Sequence, residues 1–418
     1  MRGLVALLCC LCLLTTSFCV RHPARTLPKV ANQDHNRYVV RLKEGKDVRH
    51  VHDTLASEAE LKGHTFRRTM ESRKRNTMVV EMDLTALDMV KTHDDVEVVV
   101  KDIRLDPPQG NPDVVMTPTD DVPWHLDRIN QRALPLDGAF SFGNKCCRGR
   151  DVNIYVIDSG IRDTHVDFQR NGVSRVVHLE DIIGGAGFGT DCLGHGTAVA
   201  SVAAGGSYGV SNQASLFDVR IFNCVDGTYL SHLEYAITAI LDSGSPPGII
   251  VMSVTAFAPA YDDEYVPWIT SFNALATQAV NAGHILVTGA GNDADFAEYY
   301  LPASSGFVIT VGASSKKDKI CGFSNIGYAV DLYAPGYALP SASHTGDTEV
   351  VLRSGTSFSA PLVAGLCASL LGVNDTLNHS AMLDKILEDA TDGALINVEA
   401  WTESVNLLAY GTPLLHNC

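Results

Sequence analysis

From Asp151 onward the chain passes through apolar stretches that lack polar alternation: Val152–Ile157, Ser215–Phe222, Gly248–Val254, His284–Thr288 and Val308–Val311. A strand with one wet face alternates polar and apolar residues. A continuous run is buried on both faces, as in a parallel sheet covered by helices. The intervening stretches Gly196–Ala204, Leu230–Leu241 and Phe272–Ala282 supply such helices. The expected fold is therefore α/β, a doubly wound, mostly parallel sheet flanked by helices, with ligands at the C-terminal ends of its strands.

A smaller α+β unit precedes it. Tyr38–Lys43, Thr77–Met82 and Val96–Val100 read as strands, Val48–Lys62 and Leu84–Thr92 as helices, giving β-α-β-α-β with the helices on one face. Asp106–Asp120 is rich in Pro and Asp and has linker composition. At the start, Arg2 is followed by the apolar run Leu4–Leu14 and by small residues before Cys19, a signal-peptide pattern. The run is too short for a membrane span, which needs roughly 20 apolar residues. The expected division is a signal peptide over 1–19, a small domain over 20–105 and a large one over 106–418, with a boundary between 105 and 120.

With 418 residues, 45% of them apolar, the chain is long enough for one large core and a smaller one. Up to residue 105 it carries 18 Lys+Arg against 14 Asp+Glu, and beyond that 14 against 34, so the parts hold +4 and −20. Opposite signs suit two segments that bind each other, though each part being separately soluble explains them equally well. The acidic body argues against nucleic-acid binding, which needs clustered Lys and Arg. Four of the 11 cysteines fall in the presumed signal region, and the remaining seven are an odd number, leaving at least one without an intrachain partner.

Four segments carry candidate chemistry. Val156-Ile-Asp158-Ser-Gly160 puts a carboxylate at the end of a buried strand, where a simple turn is the plain alternative. Asp191-Cys-Leu-Gly194-His195-Gly196-Thr197 opens a small-residue helix, and its flanking glycines allow backbone or substrate to approach the imidazole. In Gly355-Thr-Ser357-Phe-Ser-Ala-Pro361, Ser357 sits near a helix N-terminus, as a cap or as a nucleophile whose own N–H helps hold an oxyanion. Leu286-Val-Thr-Gly-Ala-Gly291-Asn292-Asp293 ends another strand with an amide able to serve as the second oxyanion donor.

The order Asp, His, Asn, Ser along one parallel sheet resembles the subtilase family, most of all its proteinase K branch. The similarity extends from the Tyr38 strand through Trp124-His-Leu-Asp-Arg-Ile129 to Asn406-Leu-Leu-Ala-Tyr410. The resemblance implies a secreted serine endopeptidase with Asp158, His195 and Ser357 as triad and Asn292 in the oxyanion hole. It makes 20–105 an inhibitor-type propeptide, a folding aid that is cut autocatalytically and then occupies the cleft. Polypeptide substrates would add as a strand between Asp226–Tyr229, including Gly227 and Thr228, and Ser253, Val254 and Thr255. The S1 pocket would lie between the latter and Thr288–Gly291, that is Gly289, Ala290 and Gly291. A monomer is expected, with no nucleic-acid or membrane partner and no organic cofactor.

By the same resemblance Cys192 and Cys224 form a disulfide, and Asp331 with the carbonyls of Gly306 and Val308 holds a structural Ca²⁺, a hard ion that takes oxygen ligands. A reactive thiol beside His195 and a loop-capping Asp are the respective alternatives. Cys146, Cys147, Cys321, Cys367 and Cys418 cannot be connected. Asn374-Asp-Thr376 and Asn378-His-Ser380 are glycan acceptor sequences.

Some positions depart from the family. Ser253-Val-Thr-Ala256 replaces Ser-Leu-Gly-Gly, which should narrow the cleft, and Ala260–Val266 reads as an acidic insertion beside it. Phe358 and Leu362 replace Met and His. These changes motivate a second hypothesis, a silent subtilase whose cleft binds a partner. An α/β-hydrolase esterase is excluded, because Ser357 lacks the Gly-x-Ser-x-Gly elbow and the triad order is wrong.

Overall fold

The computed structural model describes residues 36–72, 74–107, 122–140, 148–184, 190–225, 227–398 and 404–411. The expected signal peptide, most of the linker, Cys146, Cys147, Cys418 and Asp226 lie outside the described residues.

The small N-terminal unit is an antiparallel sheet in the order Phe66–Ser72, Thr77–Met82, Arg37–Leu42, Val96–Lys101. Helices α1 (Val48–Leu61) and α2 (Leu84–Lys91) start at Asp47 and Asp83, whose carboxylates accept the first free N–H groups. Tyr38, Val40 and Leu42 face these helices and form a core with Val51, Leu55, Leu87 and Val90. The strand Phe66–Ser72 was not expected from its sequence. It is an edge strand with half-buried faces, so Phe-Arg-Arg-Thr-Met-Glu-Ser shows no apolar alternation.

The large unit is built on a nine-stranded sheet. Its order is Thr391–Asp392, Leu407–Leu408, Leu332–Pro335, Ile309–Ser314, Ile285–Gly289, Ile249–Met252, Asn153–Asp158, Ser215–Arg220, Val176–Asp181. Every pairing is parallel except that of Thr391–Asp392. The helices are α3 (Trp124–Ile129), α4 (His195–Ala204), α5 (Leu230–Asp242), α6 (Val266–Asn281), α7 (Thr356–Leu371) and α8 (His379–Asp389). Ile154, Val156, Ile249, Val251 and Val287 pack under α4 and α7, whereas Tyr155, Ile157, Ile250, Met252 and Leu286 pack under α5 and α6. Neighbouring residues of one strand thus enter two different cores, the physical reason for the uninterrupted apolar runs.

Helix α7 is apolar on all sides and lies deepest, against α4 and the central strands. Truncating one of its buried side chains, such as Leu362→Ala, should cost about 2–5 kcal/mol. That depth fixes the position of its first turn, which contains Ser357. The acidic stretch from Ala260 is a turn leading into α6, which begins at Val266, six residues before the expected start at Phe272.

Residues 36–105 lie against α5 and α6. Val39 and Val79, on the sheet face turned away from α1, share a core with Leu233, Ile237, Trp268 and Phe272. Arg75 pairs with Glu234 at 2.9 Å, Lys74 with Asp242, and Trp268 Nε1 donates to Lys101 O at 3.0 Å. Cations of the basic segment meet anions of the acidic body here, one of the two readings the charge division left open.

Candidate active site

Asp158 ends the central strand, and the strand order reverses beside it. Connections leave the sheet in opposite directions there and open a crevice. The Asp158 carboxylate is 1% exposed. His195, the first residue of α4, reaches it with Nδ1 at 2.8 Å from Oδ1 and 3.0 Å from Oδ2. The carboxylate can only accept, so Nδ1 carries the proton and Nε2 of the neutral ring is left as a base. The flanking glycines are needed: a β-carbon at Gly196 would stand 2.3 Å from Gly160 O, and Gly194 has φ +74°.

Ser357 is the second residue of α7 and is half-buried, with its main-chain O accepting from Ser253 Oγ at 3.0 Å. The ring of Phe358, the next residue, lies 5.3 Å from that of His195. Among the described residues none is hydrogen-bonded to the Ser357 hydroxyl. The structure thus joins two of the three expected triad side chains directly and leaves the third on an adjacent helix start.

Asn292 is exposed, and its Oδ1 accepts from Thr356 N at 2.9 Å and Thr356 Oγ1 at 3.1 Å. With its oxygen engaged, the amide turns Nδ2 outward. A β-carbon at Gly355 would stand in ordinary contact with Asn292 Nδ2 at 3.5 Å, Asn292 Oδ1 at 3.6 Å and Ser357 N at 3.7 Å, so the amide and the Ser357 N–H lie side by side at the start of α7, and the φ of +148° there favours glycine.

The expected cleft walls are cross-tied by Thr288 Oγ1, which donates to Met252 O at 2.8 Å. Gly289 packs against Thr356, and Ala290 is buried. A β-carbon at Gly291 would stand 2.3 Å from Asn325 Nδ2 and 3.6 Å from Thr255 Oγ1, so Thr255 and the Asn325 amide both lie beside that glycine. Val254 turns into the core under α5 and α6. On the other edge, Thr228–Tyr229 is already paired, antiparallel, with Arg104–Leu105. Gly227 allows this approach, since a β-carbon there would stand 2.2 Å from Leu105 O.

Cys192 and Cys224 are disulfide-bonded, tying the loop before His195 to the loop before Gly227. Cys321 and Cys367 are buried thiols that burial pushes up to about 12, so neither is poised as a thiolate. Asp331 accepts from Thr310 N at 2.8 Å, and burial pushes its carboxyl up to about 6. Asn374 is exposed and Asn378 caps α8.

Two contributors escaped the sequence reading. Thr356 orients the Asn292 amide. Asp191 accepts from Ser159 Oγ at 2.9 Å and from Gly194 N at 2.8 Å, anchoring the loop before the histidine. Its signal is an Asp four residues before His195, within reach of the uncapped N–H groups of a helix start.

Residues 149–405 match the profile of the Peptidase S8, Subtilase family. The chain belongs to the subtilase family. It is 35% identical over 287 residues to an extracellular serine proteinase of Thermus sp. (strain Rt41A), covering 69% of this chain and 65% of that protein. It is 34% identical over 293 residues to a cuticle-degrading protease of Metarhizium anisopliae, covering 69% and 70%. Proteinase T of Parengyodontium album is 32% identical, with 65% of this subtilase and 88% of that protein covered. Among solved structures, a cold-adapted subtilisin-like serine proteinase superposes with a TM-score of 0.62 at 29% identity, covering 70% of this chain and 99% of that one.

Proposed function

We propose that this subtilase is a secreted serine endopeptidase made as a self-processing zymogen, with Asp158, His195 and Ser357 as triad and residues 20–105 as propeptide. The observation that carries the reading is the buried Asp158–His195 pair facing a helix start whose Ser357 N–H lies beside the Asn292 amide. His195 Nε2 takes the proton of Ser357 as its Oγ attacks the scissile carbonyl. Asp158 holds the tautomer and offsets the imidazolium charge. Asn292 Nδ2 and Ser357 N–H hold the oxyanion, and His195 returns the proton to the leaving amine. Water then resolves the acyl-enzyme by the same steps in reverse.

Substrate adds as an antiparallel strand beside Gly227–Tyr229, the arrangement Arg104–Leu105 already adopts. The P1 side chain enters the slot between Ser253–Thr255 and Thr288–Gly291. Secretion is supported by the signal-like start and by the extracellular relative. Calcium fits Asp331, whose half-buried carboxylate accepts one N–H and, among the described residues, has no cationic side chain paired with it. Gly306 and Val308 would complete its oxygen ligands. Calcium should then raise the melting temperature of the wild type and not that of Asp331→Asn.

A second reading, a catalytically silent subtilase with retained propeptide, draws on the unbonded Ser357 hydroxyl, the altered Ser253–Ala256 segment and the occupied edge strand. Labelling by a fluorophosphonate separates the two. The protease reading expects Ser357 to be labelled, and an N-terminus between residues 106 and 120 that Ser357→Ala abolishes. Processed protein that stays unlabelled would leave the silent reading.

A further inference from the structure

We infer that Asp191 is a positioning residue for the proposed hydrolysis, acting through Ser159 to hold the Asp158–His195 pair in register. The inference rests on the protease reading above. The Asp191 carboxylate is buried and fully engaged. Oδ1 accepts from Ser159 Oγ at 2.9 Å, Leu193 N at 3.0 Å and Gly194 N at 2.8 Å. Oδ2 accepts from Thr197 N at 2.9 Å and Thr197 Oγ1 at 2.6 Å. Three of these donors are backbone N–H groups, those of Leu193 and Gly194 in the turn that leads into α4 and that of Thr197 in its first turn. The N-cap residue, Gly194, has no side chain to serve them, so Asp191 caps the helix from three residues upstream.

The contact to Ser159 serves no capping purpose. Ser159 follows Asp158 on the strand, and its N–H donates to Asp158 Oδ1 at 2.7 Å. Its hydroxyl donates to Asp191 and accepts from Gly196 N at 2.9 Å, the residue after His195. One serine thus bonds to the carboxylate that orients the imidazole, to the backbone that carries it and to the anchor of the loop before it. The backbones are in contact as well: a β-carbon at Gly160 would stand 2.7 Å from Thr190 O. Arg162 N also donates to Thr197 Oγ1 at 3.0 Å, so several contacts join the strand end to the helix start, and a 2.8 Å His195–Asp158 bond requires both to be fixed.

Asp191→Asn keeps the shape, removes the charge and turns an N–H₂ group toward donors that now lack an acceptor.

The test uses the processed enzyme, with active sites titrated by fluorophosphonate so that misfolded protein is not counted. Asp191→Asn should lower kcat per labelled site at least tenfold and leave KM within about threefold. Ser159→Ala, which leaves the other bonds of Asp191 in place, should also lower kcat, and Ser159→Thr should restore it. Should Asp191→Asn fail to fold, the Ser159 pair decides alone. An unchanged kcat per labelled site in these variants, with only a lower melting temperature, would reduce Asp191 to a structural cap and overturn the inference. Wild-type enzyme that takes up no label would remove the reaction itself, a failure distinct from altered rates in the variants.

Discussion

The Asn292 side chain can serve an oxyanion because its other end is occupied. Thr356 supplies two donors to Oδ1, so the amide cannot flip without setting like groups against each other. Removing this one donor should act on the transition state and barely on substrate binding. In subtilisin, a relative, an amide in this role is worth about 3–4 kcal/mol. Asn292→Ala is therefore expected to lower kcat by a factor of about 10² to 10³ with KM little changed, as steady-state hydrolysis of a peptide anilide would report. Phe358 invites a second substitution. Its ring fills the space beside His195, at 5.3 Å. Phe358→Met changes volume little and should cost less than about 1.5 kcal/mol of stability. It should also introduce a liability: brief exposure to dilute peroxide would inactivate the variant through its sulfoxide and spare the wild type.

Between elements, the slot is set by how the end of Ile249–Met252 faces the end of Ile285–Gly289. The strands are in register, Met252 opposite Thr288, so the chain beyond each runs on as a wall. Thr255 follows the first strand and Gly291 the second, and Thr255 Oγ1 would lie 3.6 Å from a β-carbon at Gly291. Thr255→Gly should widen the slot and raise kcat/KM for a Phe at P1 relative to an Ala at P1 by about tenfold or more, since a methylene in such a pocket is worth 10–200-fold. A matched series of peptide substrates measures this, and an unchanged ratio would mean that the slot does not bind P1. Much of this level was legible in the sequence. Uninterrupted apolar runs located the ends of the central strands to within one to three residues, because burial on both faces leaves no other composition. The edge strand Phe66–Ser72 and the start of α6 at Val266 were not legible, since an edge carries polar residues and Tyr-Val-Pro looks like a breaker rather than a first turn. Asp191 and Thr356 stayed hidden for a related reason: their role lies in which backbone groups they reach across the fold, and spacing alone does not report that.

For the whole molecule, the seam between residues 36–105 and the body bears directly on how the proposed zymogen would open. At its centre Arg37 donates from Nε to Asp102 at 2.8 Å, lies 3.0 Å from His232 Nε2 and stacks over Tyr229 at 4.4 Å. An arginine only donates, so His232 must accept at Nε2 and be neutral, with Nδ1 2.9 Å from Thr228 Oγ1. Burial, and then Arg37, lowers the His232 pKa to about 3. Once 36–105 departs, His232 loses the cation and regains water, so its pKa returns toward the ordinary 6.5 or so. The sign follows. Above about pH 6.5 His232 is neutral in both states and costs the contact nothing. As pH falls from there toward 3, the separated body takes up a proton that the assembled form refuses, and association weakens by up to about tenfold per pH unit. Asp102 acts the other way: burial raises its pKa in the assembled form, so it favours association where it takes up a proton, above the ordinary carboxylate range near 4. Comparing wild type with His232→Gln cancels the Asp102 contribution. Cleaved but still associated protein, held at pH 5 and then assayed on a small substrate, should release its propeptide faster than at pH 7. The His232→Gln complex should lose most of that difference; equal pH dependence in the two proteins would mean that His232 does not govern the seam.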